Sequence, residues 1–243
     1  MKRTRLALVS LFGVAAIALV ADPVAAQTST TAGLINELNN KLLIAAIPIT
    51  ILTEVVLVYT VWKYRNNDDP KPTKENRRLE ISWTIATAIV LLFVGVASYG
   101  VMANEDVTFQ QGKDPIAPDE GDVVVDVEAY QWGWEMSYPQ HGGFTSPRGE
   151  TGPQIVVPND QDVYFNITTR DVLHSFAVPE LGLKQDAVPG QPNVIKTHTN
   201  EVGTYQGYCA EFCGVSHSQM YFEVKVVPQD EYEQFVEEQQ NSS

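Results

Sequence analysis

The chain has 243 residues, room for one ordinary domain plus membrane segments. Its formal charge of −14 is unevenly placed: residues 1–103 hold 10 Lys/Arg against 7 Asp/Glu, and residues 104–243 hold 6 against 23. A basic, apolar front and an acidic back describe a lipid-bilayer anchor carrying a soluble domain, and they argue against nucleic acid as a partner, since such a surface repels phosphate.

Residues 1–26 read as a signal peptide. Lys2, Arg3 and Arg5 precede the apolar core Leu6–Val20, and small residues lead to a cleavage point after Ala26. The alternative is a third helix that stays in the membrane, but the apolar core would rise only about 22 Å, short of the roughly 30 Å hydrocarbon layer. Residues 27–41 are expected to form a flexible mature N-terminus, being rich in Thr and Ser at their start.

Leu42–Trp62 is the first span, with Trp62, Lys63 and Tyr64 as an interfacial anchor. Pro48 predicts a bend. Glu54 sits at membrane depth, where a carboxylate faces protein and not lipid; pairing with a neighbouring subunit and a place on a proton path both remain open. Six basic residues in 63–78 mark the cytoplasmic side. Ile81–Met102 crosses back, so residues 42–103 form a transmembrane hairpin, and both mature termini and the acidic domain are expected on the extracytoplasmic side.

From residue 104 the texture becomes β. Val123–Trp132 is β-branched and bounded by Gly121 and Gly133. Further strands are predicted at Gln154–Val157, Val163–Thr168, Ser175–Val178, Asn193–Thr199, Gly203–Tyr208 and Met220–Val227. Short strands broken by Gly, Pro, Asn and Asp predict an antiparallel sandwich or barrel of Greek-key type. Pro228–Ser243 reads as a polar, acidic tail with a short helix at its start.

The chemistry is concentrated in Cys209-Ala-Glu-Phe-Cys-Gly-Val-Ser-His-Ser-Gln-Met220, which holds both cysteines of the protein. A further imidazole, His174, lies upstream in Asp171-Val-Leu-His-Ser. Soft sulfurs with imidazoles suit copper, zinc or iron. Gly207 and Gly214 favour a tight loop over a helix. A mononuclear blue-copper site needs one Cys, two His and a weak axial Met; here there is one Cys more, and two thiolates can bridge two metals. A Cys209–Cys213 disulfide would leave the His and Met unexplained, and Met220 and the spacing speak against a zinc site.

The run resembles the dinuclear copper (CuA) loop of subunit II of haem-copper cytochrome c oxidases. The resemblance covers most of the chain after residue 34, and every position of the pattern is filled. It implies His174, Cys209, the Glu211 carbonyl, Cys213, His217 and Met220 as ligands of a two-copper centre, on a membrane-anchored all-β architecture: a two-helix hairpin followed by a cupredoxin-like Greek-key sandwich, 104–243. It implies Trp132, in Gln131-Trp-Gly-Trp134, as the point of electron entry, while Trp134 reads as packing. The Glu211 side chain, near a stretch containing Asp186, would reach a magnesium or manganese shared with subunit I. Glu80, in Glu-Ile-Ser-Trp-Thr84, matches a residue near a proton pathway into subunit I, with a solvated helix-start carboxylate as the plain alternative; where the family has Pro, this chain has Thr87.

The implied function is that of the electron-entry subunit of an oxidase whose subunit I reduces oxygen. Single electrons would arrive from a soluble donor, cytochrome c or a small blue-copper protein. The acidic domain has two explanations, docking of a basic donor and solubility in concentrated salt; the scarcity of lysine after residue 104 favours a halophile. Quinol oxidase subunits lack the copper ligands, nitrous oxide reductases are longer, and a plain membrane-anchored copper carrier would not need the second Cys. His141 and His198 are assigned to structure.

Overall fold

The two apolar runs become helices because each is long enough, and uncharged enough, to cross a bilayer. In the computed structural model, which describes residues 27–104, 106–108, 118–119 and 121–242, α1 spans Thr30–Tyr64 and α2 spans Arg77–Met102. The expected signal peptide lies outside the described residues. Asn76 starts α2 by accepting a hydrogen bond from the Leu79 amide at 3.2 Å. Both helices leave their apolar windows uncovered by the rest of the chain.

The segment 27–41 differs from expectation. It is the capped beginning of α1, docked on the β-domain. Ser29 is fully buried; its Oγ accepts from the Ala32 amide at 3.0 Å and donates to the Leu181 carbonyl at 2.7 Å. Thr31 Oγ1 lies 2.9 Å from Thr197 Oγ1. The Ser and Thr that suggested flexibility are therefore the cap and the dock. Gly182, at φ 66°, makes room, since a Cβ there would come within 2.9 Å of the Ala32 nitrogen.

Among the described residues nine strands follow: β1 Val123–Tyr130, β2 Gly133–Ser137, β3 Gln154–Pro158, β4 Asp162–Thr169, β5 His174–Val178, β6 Leu183–Ala187, β7 Asn193–His198, β8 Gly203–Cys209 and β9 Tyr221–Val227. They form two sheets, ordered β2-β1-β4-β7 and β3-β9-β8-β5-β6. Alternation puts Val125, Val127, Phe165 and Ile167 of one sheet against Ile155, Phe176, Phe222 and Val224 of the other. Phe176 stacks on Phe222 at 4.6 Å between ring centres, with Trp134 edge-on to both.

Three details depart from the sequence reading. The pairs β1–β4 and β3–β9 are parallel, because long excursions separate their members and bring the second strand back in the same direction. Strands β2 and β6 were not predicted. The acidic tail is a docked amphipathic helix, α3 Gln229–Ser242, which buries Tyr232 and Val236 and sets Phe235 against Tyr138 and Phe144.

Candidate metal centre

The loop between β8 and β9 is closed at its base by the Cys209 amide donating to the Met220 carbonyl at 3.0 Å. Glycine at 207 is required by close approach, since a Cβ there would lie 2.1 Å from the Phe222 ring. Gly214, at φ 124°, reverses the chain beneath the Trp132 indole. His217–Gln219 forms a single 3-10 turn that brings His217 and Met220 back over the cysteines.

Cys209 Sγ and Cys213 Sγ are 3.9 Å apart, and both thiols are free and buried. His174 Nδ1 lies 3.8 Å from Cys209 Sγ, and His217 Nδ1 lies 3.7 Å from Cys213 Sγ. Met220 Sδ is 3.2 Å from Cys213 Sγ, and the Glu211 carbonyl is 3.2 Å from Cys209 Sγ. Thus all six residues of the sequence pattern converge. Burial, followed by the adjacent Cys209, pushes the Cys213 thiol up to about 12. A protonated pair of thiols gains little from such closeness, whereas bonds of about 2.0–2.3 Å to a shared soft cation span separations of this size. The donor set fits copper.

Three side chains that the sequence reading did not assign to the site hold it in place. Asp171 Oδ1 accepts from His174 Nε2 at 2.9 Å, which leaves Nδ1 unprotonated, with its lone pair free for a metal. Its Oδ2 accepts from the Gln131 amide at 2.6 Å, tying the Trp132 segment to the same carboxylate. Burial alone would raise the Asp171 pKa, but the bonds from His174, Gln131 and Val172 hold it below the usual range. The Gln131 side chain donates to the Cys213 carbonyl at 2.7 Å. Trp134 Nε1 reaches the Met220 carbonyl at 3.3 Å from within the core. The available signal was Asp171 in the Asp-x-x-His run.

Trp132 stands at the surface, 40% exposed, with its Nε1 donating to the Cys213 carbonyl at 3.2 Å. Asp186 pairs with Lys184 at 3.3 Å on β6. Glu80 lies in the first turn of α2, about 33 Å of helix rise from Met102. Glu54 is exposed on α1. His141 Nε2 meets Tyr232 Oη at 3.1 Å, and His198 Nδ1 meets Asp162 at 2.7 Å. None of these five residues joins the cluster.

Residues 123–227 match the family described as cytochrome C oxidase subunit II, periplasmic domain, and residues 22–101 match its transmembrane domain. Similar proteins include cytochrome c oxidase subunit 2 of Cereibacter sphaeroides, 32% identical over 90% of this chain and 78% of that protein. The probable cytochrome c oxidase subunit 2 of Rickettsia bellii is 31% identical over 83% and 78%. Among solved structures, the periplasmic domain of oxidase subunit II of Bradyrhizobium japonicum is 29% identical, covering 52% of this chain and 99% of that one, with a TM-score of 0.47. The family implies a copper centre, and the donor set described above is compatible with one. With both halves matched and the spans in place, the chain belongs to the subunit II family of cytochrome c oxidases, as a membrane-anchored subunit of a haem-copper oxidase with an extracytoplasmic cupredoxin-like domain.

Proposed function

We propose that this chain is the electron-entry subunit of its oxidase, taking single electrons from a soluble donor and passing them to haem in subunit I, where oxygen is reduced to water. The observation that supports this most is the unbroken series of donors His174, Cys209, Cys213 and His217, each within 3.9 Å of the next. These four, with Met220 and the Glu211 carbonyl, would hold two coppers. When bound, the copper pair supplies reversible uptake and release of one electron. The protein's part is to keep the donors fixed: His174 and Cys209 sit on strands, Asp171 fixes the imidazole, and the Phe176–Phe222–Trp134 cluster keeps water from the inner side. Trp132 is the entry point, supported by its exposure and its direct bond to the Cys213 carbonyl.

In this reading Glu211 and Asp186 face subunit I and offer carboxylates to a magnesium or manganese completed there. Glu80 stands at the cytoplasmic mouth of a proton path, Glu54 pairs within the membrane, and the signal peptide is removed after Ala26. The acidic surface suits work in concentrated salt. The test is copper stoichiometry with electron spin resonance on the purified full chain. Hyperfine coupling to two equivalent coppers supports the reading. A one-copper pattern supports a plain membrane-anchored carrier, which the second buried thiol argues against.

A further inference from the structure

Both membrane helices are fastened to the β-domain at one place, the edge strand β7 and the residues just after it. On the α1 side Thr199 bridges to Ser29, and the Asn200 amide donates to the Thr28 carbonyl at 3.0 Å. On the α2 side the chain stays ordered past the helix end. The Asn104 carbonyl accepts from the Val107 and Thr108 amides, and its Oδ1 accepts from the Asp106 amide at 2.9 Å. Two hydroxyls join α1, β7 and this turn. Thr31 Oγ1 donates to the Asp106 carbonyl at 2.9 Å, so its 2.9 Å contact with Thr197 Oγ1 is completed by the Thr197 proton.

Charge closes the joint. Lys196 Nζ lies 2.6 Å from Asp162 on β4 and 3.7 Å from Asp106, above the Tyr164 ring at 5.7 Å. His198 Nδ1 shares Asp162 at 2.7 Å. The Lys196 and Asp106 side chains are only 15% and 18% exposed, unlike the solvated surface pairs that contribute little. Asp162 steadies the ammonium from within the sheet, and Asp106 belongs to the anchor. Among the described residues Lys196–Asp106 is the one ion pair between anchor and domain.

This joint lies close to the metal strand. Thr28 and Ser29 donate to the Glu180 and Leu181 carbonyls, in the turn that directly follows β5. The four steps of β5 from His174 to Val178 put that metal ligand about 13 Å from the turn gripped by the start of α1.

We infer that Lys196 is a positioning residue for electron exit. With Thr31, Thr197 and Asp106 it fixes the β-domain on the two membrane helices, and so holds the metal centre at a set distance and orientation from the haem in subunit I. This rests on the electron-entry reading above. A loosely tethered domain would present the centre over a spread of distances, and transfer would wait for the productive one. Each transfer moves one electron from the metal centre to haem, with no bond made or broken.

The test places Lys196→Met, Lys196→Arg and Asp106→Asn in the assembled oxidase and follows two steps by stopped-flow absorption with a reduced soluble donor. Lys196→Met should slow the step from metal centre to haem at least about threefold, and Asp106→Asn should slow it in the same direction. Reduction of the centre by the donor, the copper resonance signal and the reduction potential should stay as in the parent. Lys196→Arg keeps the charge and should stay within about twofold of the parent. In Lys196→Met the Ala32 and Asn200 amides, which report on the joint, should exchange hydrogen at least about tenfold faster, with no change at the Cys209 amide that closes the metal loop. The inference is overturned if both steps keep the parent's rates or if exchange at Ala32 and Asn200 is unchanged. It is also overturned if Lys196→Met and Lys196→Arg both lose the copper signal, since Lys196 would then serve the sandwich and not the joint. Failure of the donor to reduce the metal centre in the unsubstituted oxidase would instead overturn the electron-entry reading.

Discussion

The two ends of the sandwich share one core and invert each other's polarity. At the metal end the polar donors His174, Cys209 and Cys213 point inward and the apolar Phe212 and Val215 point out. At the end capped by α3, Tyr138, Phe144, Tyr232 and Val236 point inward and carboxylates point out. The capped end follows the ordinary rule that burial of apolar surface stabilises a fold. The metal end departs from it, which is expected where a site must hold soft ligands together and still meet a partner.

The comparison is broken most severely by removing a thiol. Cys209→Ser or Cys213→Ser should abolish the paired-copper resonance entirely, while far-ultraviolet dichroism reports an unchanged sandwich. Next in size is the carboxylate behind the histidine. Asp171→Ala should weaken copper binding about 10- to 100-fold, measured by competition with a chelator, and Asp171→Asn should recover part of it because its amide oxygen still accepts from His174 Nε2.

At the capped end the effect should fall on stability alone. Tyr138 Oη donates to the Val156 carbonyl at 2.9 Å and accepts from its amide at 2.7 Å. Tyr138→Phe leaves both groups buried without this partner and should cost about 1–3 kcal/mol in denaturant unfolding, with copper affinity unchanged. The smallest expected effect concerns Glu223 on β9, which runs along the sheet between the two ends. Burial would raise its pKa, but bonds from Thr151 and Gln154 hold it below the ordinary 4.5. Its contribution is therefore complete above about pH 4.5 and lost as the pH falls through the lowered value. Unfolding midpoints of the parent and Glu223→Gln should differ at pH 6 and converge in acid; a gap that stays constant as the pH is lowered until the parent unfolds would show that the carboxylate's charge is not what pins residues 149–154.

Seven of the nine strands among the described residues are legible in the sequence because each carries β-branched or aromatic residues between turn residues. β2, Gly-Trp-Glu-Met-Ser, begins with a Gly that reads as a boundary, and β6, Leu-Lys-Gln-Asp-Ala, has the polar composition of a loop. Both are edge strands held by a single neighbour, where pairing and not propensity decides. The helix in the tail runs further, and packs more closely, than its composition suggests, for a related reason. Its acids set the overall impression, while Tyr232, Phe235 and Val236, spaced to fall on one helical face, carry the packing.

By itself the sequence determined the two helices of membrane-spanning length and singled out the six residues that the fold brings together, since hydropathy length and a soft-ligand set are local properties. Only the tertiary structure decided how residues 27–41 are used, which pairs of strands run parallel, and that one carboxylate, Asp171, holds both the His174 ring and the Trp132 segment. Those outcomes depend on groups far apart in the chain, Ser29 with Leu181 and Gln131 with Asp171, whose hydrogen bonds exist only once the core has brought them together.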